Sequence, residues 1–290
     1  MAVDPAKVKE LREVTGLPMM ECKKALEKTG GDIEKAQEEL RKSGLKAQEK
    51  LAGRAATEGR VGSQVAADGR LGVLVALRCE TESVAKNEQF QKLLVDLVQL
   101  ATKGSIKTQA EMVEAKFPTG GTVGSAVTEL INKIRENITL GRFARLDADA
   151  VVQYVHFDQK KAAMVALAGG STSDPKVAEL GKDLCMHVVF NHLRPETIPW
   201  SLDRSGVDPK AVEKERGILL ETAKNDPKNA KKPEEILKKI IQGQVDKFIA
   251  AHALLEQPYI RDPNATVAEH VKRSGTGVTV KGFAYVSTDT

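Results

Sequence analysis

The feature that most constrains this chain is a pattern written twice. DGRLGVLVAL, residues 68–77, and DQKKAAMVAL, residues 158–167, share the opening Asp and the closing Val-Ala-Leu. Each is followed by a polar loop and then by a helical apolar pattern. Asp-Gly at 68–69 supplies the positive backbone angles of a tight hairpin turn, with residues 61–66 as the preceding strand. The similarity is short and alanine-rich, yet the elements follow in matching order, which points to an internal duplication of a hairpin-plus-helix unit.

Other segments flank the two units. Residues 1–45 are expected to form three short helices: 6–14 closing at Thr15-Gly16, 18–27 opening on Pro18, and a third capped by Asp32 and ending at Ser43-Gly44. On the second helix Met19, Cys22 and Leu26 share one face, expected to be core, while Met20, Lys23, Lys24 and Glu27 point elsewhere. Residues 46–56 are charged and alanine-rich, a helical linker, and the first unit then occupies 57–140. Its helix keeps Phe90, Leu93, Leu94, Leu97 and Leu100 on one buried face, and Gly120-Gly121 precedes another helix near 123–137. The second unit spans 141–290 and is interrupted by a helical hairpin at 207–239, reversing at Asn225-Asp226-Pro227 and reopening at Pro233. Its C-terminal element, 262–290, ends in the strand pattern GVTVKGFAYVS. Two projecting antiparallel helices commonly present a partner surface, and a homodimer through them is one expectation.

Composition narrows the function. Aromatic residues are 4% of the chain and the net charge of +4 is dispersed, so neither a base-stacking platform nor a phosphate-tracking groove is expected, and no direct nucleic-acid partner. No run approaches the ~20 apolar residues of a membrane span, and the start, MAVDPAKVKELRE, lacks an apolar signal core, so a cytoplasmic protein with no membrane partner is expected. Cys22, Cys79 and Cys185 are far apart and suggest neither disulfides nor a metal motif. The chain has no G-x-x-x-x-G-K-[ST] phosphate loop, no G-x-S-x-G elbow and no ligand-spaced histidines. We therefore expect no bound cofactor, no metal and no enzyme. The one catalytic rival is a thiol at Cys79 beside Glu80, which has no nearby histidine in sequence to raise its thiolate character.

Three stretches carry a family resemblance: LREVTGLPMMECKKAL at 11–26, CETESVAKNEQF at 79–90 and LLEQPYIRDPNATV at 254–267. MHVV at 186–189 and RENITLGRF at 135–143 fit the same pattern. Together, in order along the chain, they resemble the elongation factor Ts family, the bacterial guanine-nucleotide exchange factors for the GTPase elongation factor Tu. The resemblance implies an α+β fold: a ubiquitin-associated-like three-helix module, two related two-layer α/β subdomains with small antiparallel sheets, and a protruding antiparallel helical hairpin. It further implies a partner, elongation factor Tu, met in its nucleotide-free and GDP forms. The residues matched to partner contact are Met19, Met20, Lys23, Met186 and His187, with Thr81, Glu82, Ser83 and Val84 as the loop that presses near the partner's magnesium site. That loop departs from the family's Thr-Asp-Phe-Val at its centre, where Glu82 is one methylene longer than Asp and Ser83 has no ring. A second reading is a ubiquitin-associated-like adaptor that binds proteins without exchanging nucleotide.

Overall fold

A computed structural model describes residues 3–225 and 233–289. The architecture is α+β. It begins with α1 (Pro5–Thr15), α2 (Met19–Lys28) and α3 (Ile33–Leu51). Asp4 caps α1 and Asp32 caps α3 with side-chain oxygens on free backbone N–H groups, and Gly16 closes α1 in the left-handed region. Leu11, Cys22, Leu26 and Ala36 form the centre of their small core.

Helix α3 does not end at Ser43-Gly44 but runs through the expected linker to Leu51. Gly44 acts here as a close-approach residue rather than a helix stop, because a Cβ at this position would lie 1.7 Å from Nδ2 of Asn132. The second half of α3 is thus a packed strut against the following unit. Gln48 accepts a hydrogen bond from the Thr128 hydroxyl there, at 2.7 Å.

The first sheet follows, from β1 (Glu58–Val65) and β2 (Leu71–Cys79). Helices α4 (Glu82–Ala85), α5 (Glu88–Lys103), α6 (Gln109–Glu114) and α7 (Val123–Ile134) intervene before β3 (Thr139–Asp147) completes it, in the order β1-β2-β3. The sheet therefore continues past residue 140. The second unit repeats the plan with β4 (Ala150–Val155), β5 (Lys161–Ala168) and α8 (Pro175–Asn191). After the helical pair α9 (Pro209–Asn225) and α10 (Glu234–His252) come β6 (Pro258–Tyr259), β7 (Asp262–Thr266), α11 (Val267–Arg273) and β8 (Thr279–Ser287). Strand β8 completes a β4-β5-β8 sheet. The reversal expected at Asn225-Asp226-Pro227 lies outside the described residues beyond Asn225. Among the described residues, no helix is long and apolar enough to cross a membrane.

The duplication extends beyond the hairpins. In the third strands, Phe143 stands opposite Val75 and Phe283 opposite Val165, while Ala144 faces Leu74 and Ala284 faces Met164. The Phe-Ala pair at 143–144 and 283–284 is thus a repeat signal in matching register.

Both central strands are apolar along their length because both of their faces are covered. Val73, Val75 and Leu77 pack on one side with Phe90, Leu94 and Leu97 of α5. Leu74 and Ala76 turn the other way, into a layer shared with Val151, Ala162 and Met164 of the second sheet. In β5, Ala163, Val165 and Leu167 meet Leu180, Leu184 and Val188 of α8 in the same manner.

The two hairpins also grip each other reciprocally. The Val151 N–H donates to the Gly69 carbonyl at the first hairpin's turn, and the Val61 N–H donates to the Gln159 carbonyl at the second, both at 2.7 Å. The turn residues Gly69 (φ 71°) and Gln159 (φ 56°) both lie in the left-handed region that presents these carbonyls outward. Each hairpin tip thereby ties to the first strand of the other sheet.

Under the second sheet sits a polar knot. His187 on α8 is fully buried; its Nε2 lies 2.9 Å from Gln257 Oε1, and its Nδ1 accepts from the Ile260 N–H at 3.4 Å. Gln257 in turn donates to the carbonyls of Thr197 and Ala251, so one neutral imidazole orients a three-segment junction. Burial, the largest cause, lowers the His187 pKa from 6.5 to about 4, with His270 adding a smaller push in the same direction. Because the folded value lies below the unfolded one, its stabilising effect is complete above pH 6.5 and is lost as pH falls from there toward 4. Thermal melts across that window should show a falling midpoint. His187→Asn, which cannot take up the proton, should be less stable than the parent at pH 7.5 yet lose less on acidification. Parallel curves for the two proteins would remove His187 as the acid-sensitive group.

Candidate functional site

The loop that leaves β2 is a short, tightly fixed turn. Thr81 is extended at φ −127° and accepts the Val84 N–H on its hydroxyl oxygen, which starts the single helical turn α4. The Thr81 hydroxyl donates to Glu136 Oε1 at 2.8 Å and its N–H to Oε2 at 3.1 Å. One residue earlier, Glu80 accepts the Asn137 N–H at 2.7 Å. The segment RENITLGRF therefore works as the back wall of the turn.

Glu82, its side chain still 42% exposed, is turned back along the surface onto β1. Arg60 of β1, only 6% exposed, holds its carboxylate in a two-pronged contact at 2.6 and 3.1 Å. Lys160, from the tip of the second hairpin, lies 3.5 Å from the same carboxylate and also bonds Glu58, while Lys86 approaches at 3.4 Å. The Arg60 guanidinium, as the largest cause, holds the Glu82 carboxyl far below the usual carboxylate range, so it remains charged at any physiological pH. Val84 is buried in the first-sheet core. In the free chain the capped turn buries its side chain with those of α5 rather than offering it at the surface. Of the four residues matched to partner contact in this loop, Ser83 alone is exposed with no hydrogen-bond partner of its side chain among the described residues.

Cys79 does not support the thiol reading. It is fully buried, its Sγ lies 3.2 Å from the Thr81 carbonyl oxygen, and burial, with Glu136 adding to it, pushes its pKa up to about 12. A thiol kept protonated is no nucleophile.

On α2 the exposed face differs in one residue from the expected one. Cys22 and Leu26 are core, but Met19 is 49% exposed and Met20 61%. Met19 opens the helix at the edge of the module, where Leu17 fills the core position instead. Lys23 lies beside them, half exposed and 3.9 Å from Glu27. This face connects to the turn through one ion pair, Glu21 of α2 with Arg135, the residue that precedes the Thr81 anchor Glu136. Met186 is half-buried, with the Arg261 guanidinium 3.9 Å from its sulfur. His187 is the buried knot described above and presents no surface, since burial on α8 points it into the junction.

The sequence reading missed Arg60, Glu136 and Lys160, which fix the turn. Arg60 left no trace, since its strand EGRVGSQV already carries Glu58, Ser63 and Gln64, and Glu136 lay within a quoted motif. Lys160 left none, because it comes from the other repeat.

A family model described as elongation factor TS matches residues 80–289. The elongation factor Ts of Azoarcus sp. (strain BH72) is 44% identical over 274 residues, covering 93% of this chain and 86% of that protein. That of Paracoccus denitrificans (strain Pd 1222) is 40% identical over 291 residues, covering 99% and 92%. That of Amoebophilus asiaticus (strain 5a2) is 38% identical over 286 residues, covering 99% of each. With the turn and its back wall inside the family match, and relatives aligned over 99% of the chain, the chain belongs to the elongation factor Ts family of translation elongation factors.

Proposed function

We propose that this chain is a guanine-nucleotide exchange factor for elongation factor Tu. The observation that carries the reading is the braced turn at residues 81–85, joined through Glu136, Arg135 and Glu21 to the exposed methionine face of α2. It gives one rigid partner surface drawn from two modules. An exchange factor needs no covalent step. It binds the nucleotide-free GTPase better than the nucleotide-bound form, and linkage then weakens nucleotide by the same factor. Magnesium bridges nucleotide phosphates and protein ligands, so a rigid turn pressed against the groups that orient it loosens the nucleotide without touching the base. Rigidity matters because a floppy turn would yield before its target did.

The direct test is release of a fluorescent GDP from elongation factor Tu in stopped flow. Catalytic amounts of this protein should accelerate it; no acceleration, with binding retained, would leave the adaptor reading.

The turn makes sharper predictions in the same assay. Glu82→Ala removes the Arg60 clamp and should slow release by loosening the turn, whereas an unchanged rate would place the work elsewhere. Ser83→Phe sets a ring on the exposed side of the turn. If the partner offers an apolar pocket there, burial of part of that side chain should tighten the nucleotide-free complex by up to ~2 kcal/mol, about thirtyfold. On α2, Lys23→Glu should weaken binding in calorimetry without shifting the melt, and the loss should shrink as salt rises, as for an exposed rim charge. Equal affinities would take this helix face out of the interface.

A further inference from the structure

In a chain with only 4% aromatic residues, Trp200, Phe283 and Tyr285 all line one cleft of about 600 Å³. Its walls come from β3, β8 and residues 198–202, and its volume lies within the roughly 300–1,000 Å³ of small-molecule sites. These walls are fixed. The Trp200 indole lies flat on the buried His252 ring, 3.6 Å between centroids at 7°, with Phe248 edge-on to it, and is still 47% exposed. Its backbone is pinned as well: the Trp200 and Ser201 N–H groups donate to the His252 carbonyl at 2.9 and 3.3 Å, and the Ser201 carbonyl takes the Leu254 N–H at 2.9 Å. On the strand side the His192 ring stacks on Tyr285 of β8, 3.8 Å between centroids at 17°. Rings held in place before anything binds are preorganised for a ligand.

Three polar groups on this cleft have no partner among the described residues. Arg142 of β3, the one formally charged residue in its lining, is exposed and makes neither an ion pair nor a hydrogen bond there. It belongs to the motif RENITLGRF, which supplies Glu136 to the back wall of the turn, but it takes no part in that wall. His192 Nδ1 lies 2.8 Å from the Val188 carbonyl, to which it must donate, so in the neutral ring Nε2 is an open acceptor. Burial chiefly, with the Arg142 charge adding to it, lowers the His192 pKa and keeps that ring neutral at pH 7. The Trp200 indole N–H likewise has no acceptor. Gly282 of β8 keeps the cleft open, since a Cβ there would meet nothing within 4 Å.

We propose that this cleft binds a small planar aromatic anion, its rings against Trp200 and the stacked His192 and Tyr285, its anionic group on Arg142, and an N–H or O–H at its ring edge donating to His192 Nε2. Each property of the ligand is set by one part of the wall. A plain hydrocarbon would cover Nε2 without a donor, which costs the desolvation of that nitrogen. An aliphatic anion would leave the rings without a stacking partner, and a cation would meet Arg142. The site is independent of the exchange-factor reading.

The probe for the test is 1-anilinonaphthalene-8-sulfonate, which combines fused rings, an anion and one N–H. Trp200 is the single tryptophan of the chain, so energy transfer from it to the bound probe reads occupancy. With the full chain at pH 7.5 the transfer should saturate, and calorimetry should give one probe per chain. Gly282→Leu should weaken binding at least tenfold by filling the cleft, with an unchanged melt because the added side chain enters open space. Arg142→Gln, at an exposed position, should weaken it about tenfold, the effect of one charge-assisted hydrogen bond. N-Phenyl-1-naphthylamine, with the same rings and N–H but no sulfonate, should bind the parent and Arg142→Gln equally. No saturable transfer with the parent would overturn the site, and so would parent-like binding by Gly282→Leu, which would put the probe elsewhere. Parent-like binding of the sulfonate by Arg142→Gln would overturn the seat of the anion and with it the ligand class. If Gly282→Leu melts early, Arg142→Gln and the uncharged probe decide the matter by themselves.

Discussion

The reciprocal grip of the two hairpins is the constraint on which the rest of the molecule depends. Each turn carbonyl, Gly69 in one repeat and Gln159 in the other, accepts an N–H from the first strand of the opposite sheet. Two hydrogen bonds contribute little by themselves, on the order of 1 kcal/mol each. Their importance is positional, because they fix the register at which Leu74, Val151 and Met164 close into a shared apolar layer. With that layer closed, β2 and β5 are buried on both faces, which is why their sequences are nearly unbroken in apolar residues.

The same grip reaches the functional turn. Lys160 is the sequence counterpart of Arg70, one residue after the left-handed position in each hairpin, and both reach across to an acid near the other sheet. The two repeats differ in what lies next to that acid. Arg70 meets Asp149, while Lys160 meets Glu58 and also Glu82, so the second sheet braces the turn of the first. A duplication alone gives two similar units; this added contact makes one unit the support for the other's working surface. Arg60 and Glu136 complete the brace from within the first unit, leaving Ser83 as the freely offered side chain.

Much of this was legible in the chain. The three N-terminal helices, both hairpins, the buried face of α5 and the final strand follow from turn chemistry and periodicity, which are local properties. Strand β3 was not, nor was the unbroken passage of α3 through Gly44 into the segment expected to be a separate helical linker. Gly44 illustrates why: as local chemistry it is a helix stop, and only the approach of Asn132 on α7 reveals it as a packing residue. Met19 failed in a similar way, since helical spacing put it with Cys22 and Leu26 while the module's edge left it in solvent. His187 and Val84 were matched to a surface role by motif, yet burial assigns them to the junction and the core.

What the sequence determined by itself is the family, the doubled α+β plan and the position of the turn after the first central strand, because motifs and apolar periods act over a few residues and survive without knowledge of neighbours. Tertiary structure alone decided which of the turn's side chains is free, which acid is clamped, and that a lysine from the other repeat reaches that acid. Those facts depend on residues about eighty positions apart meeting across the interlocked sheets, as Lys160 meets Glu82. No local pattern encodes such a meeting, since it follows from the closing of the shared layer and not from either segment's own preference.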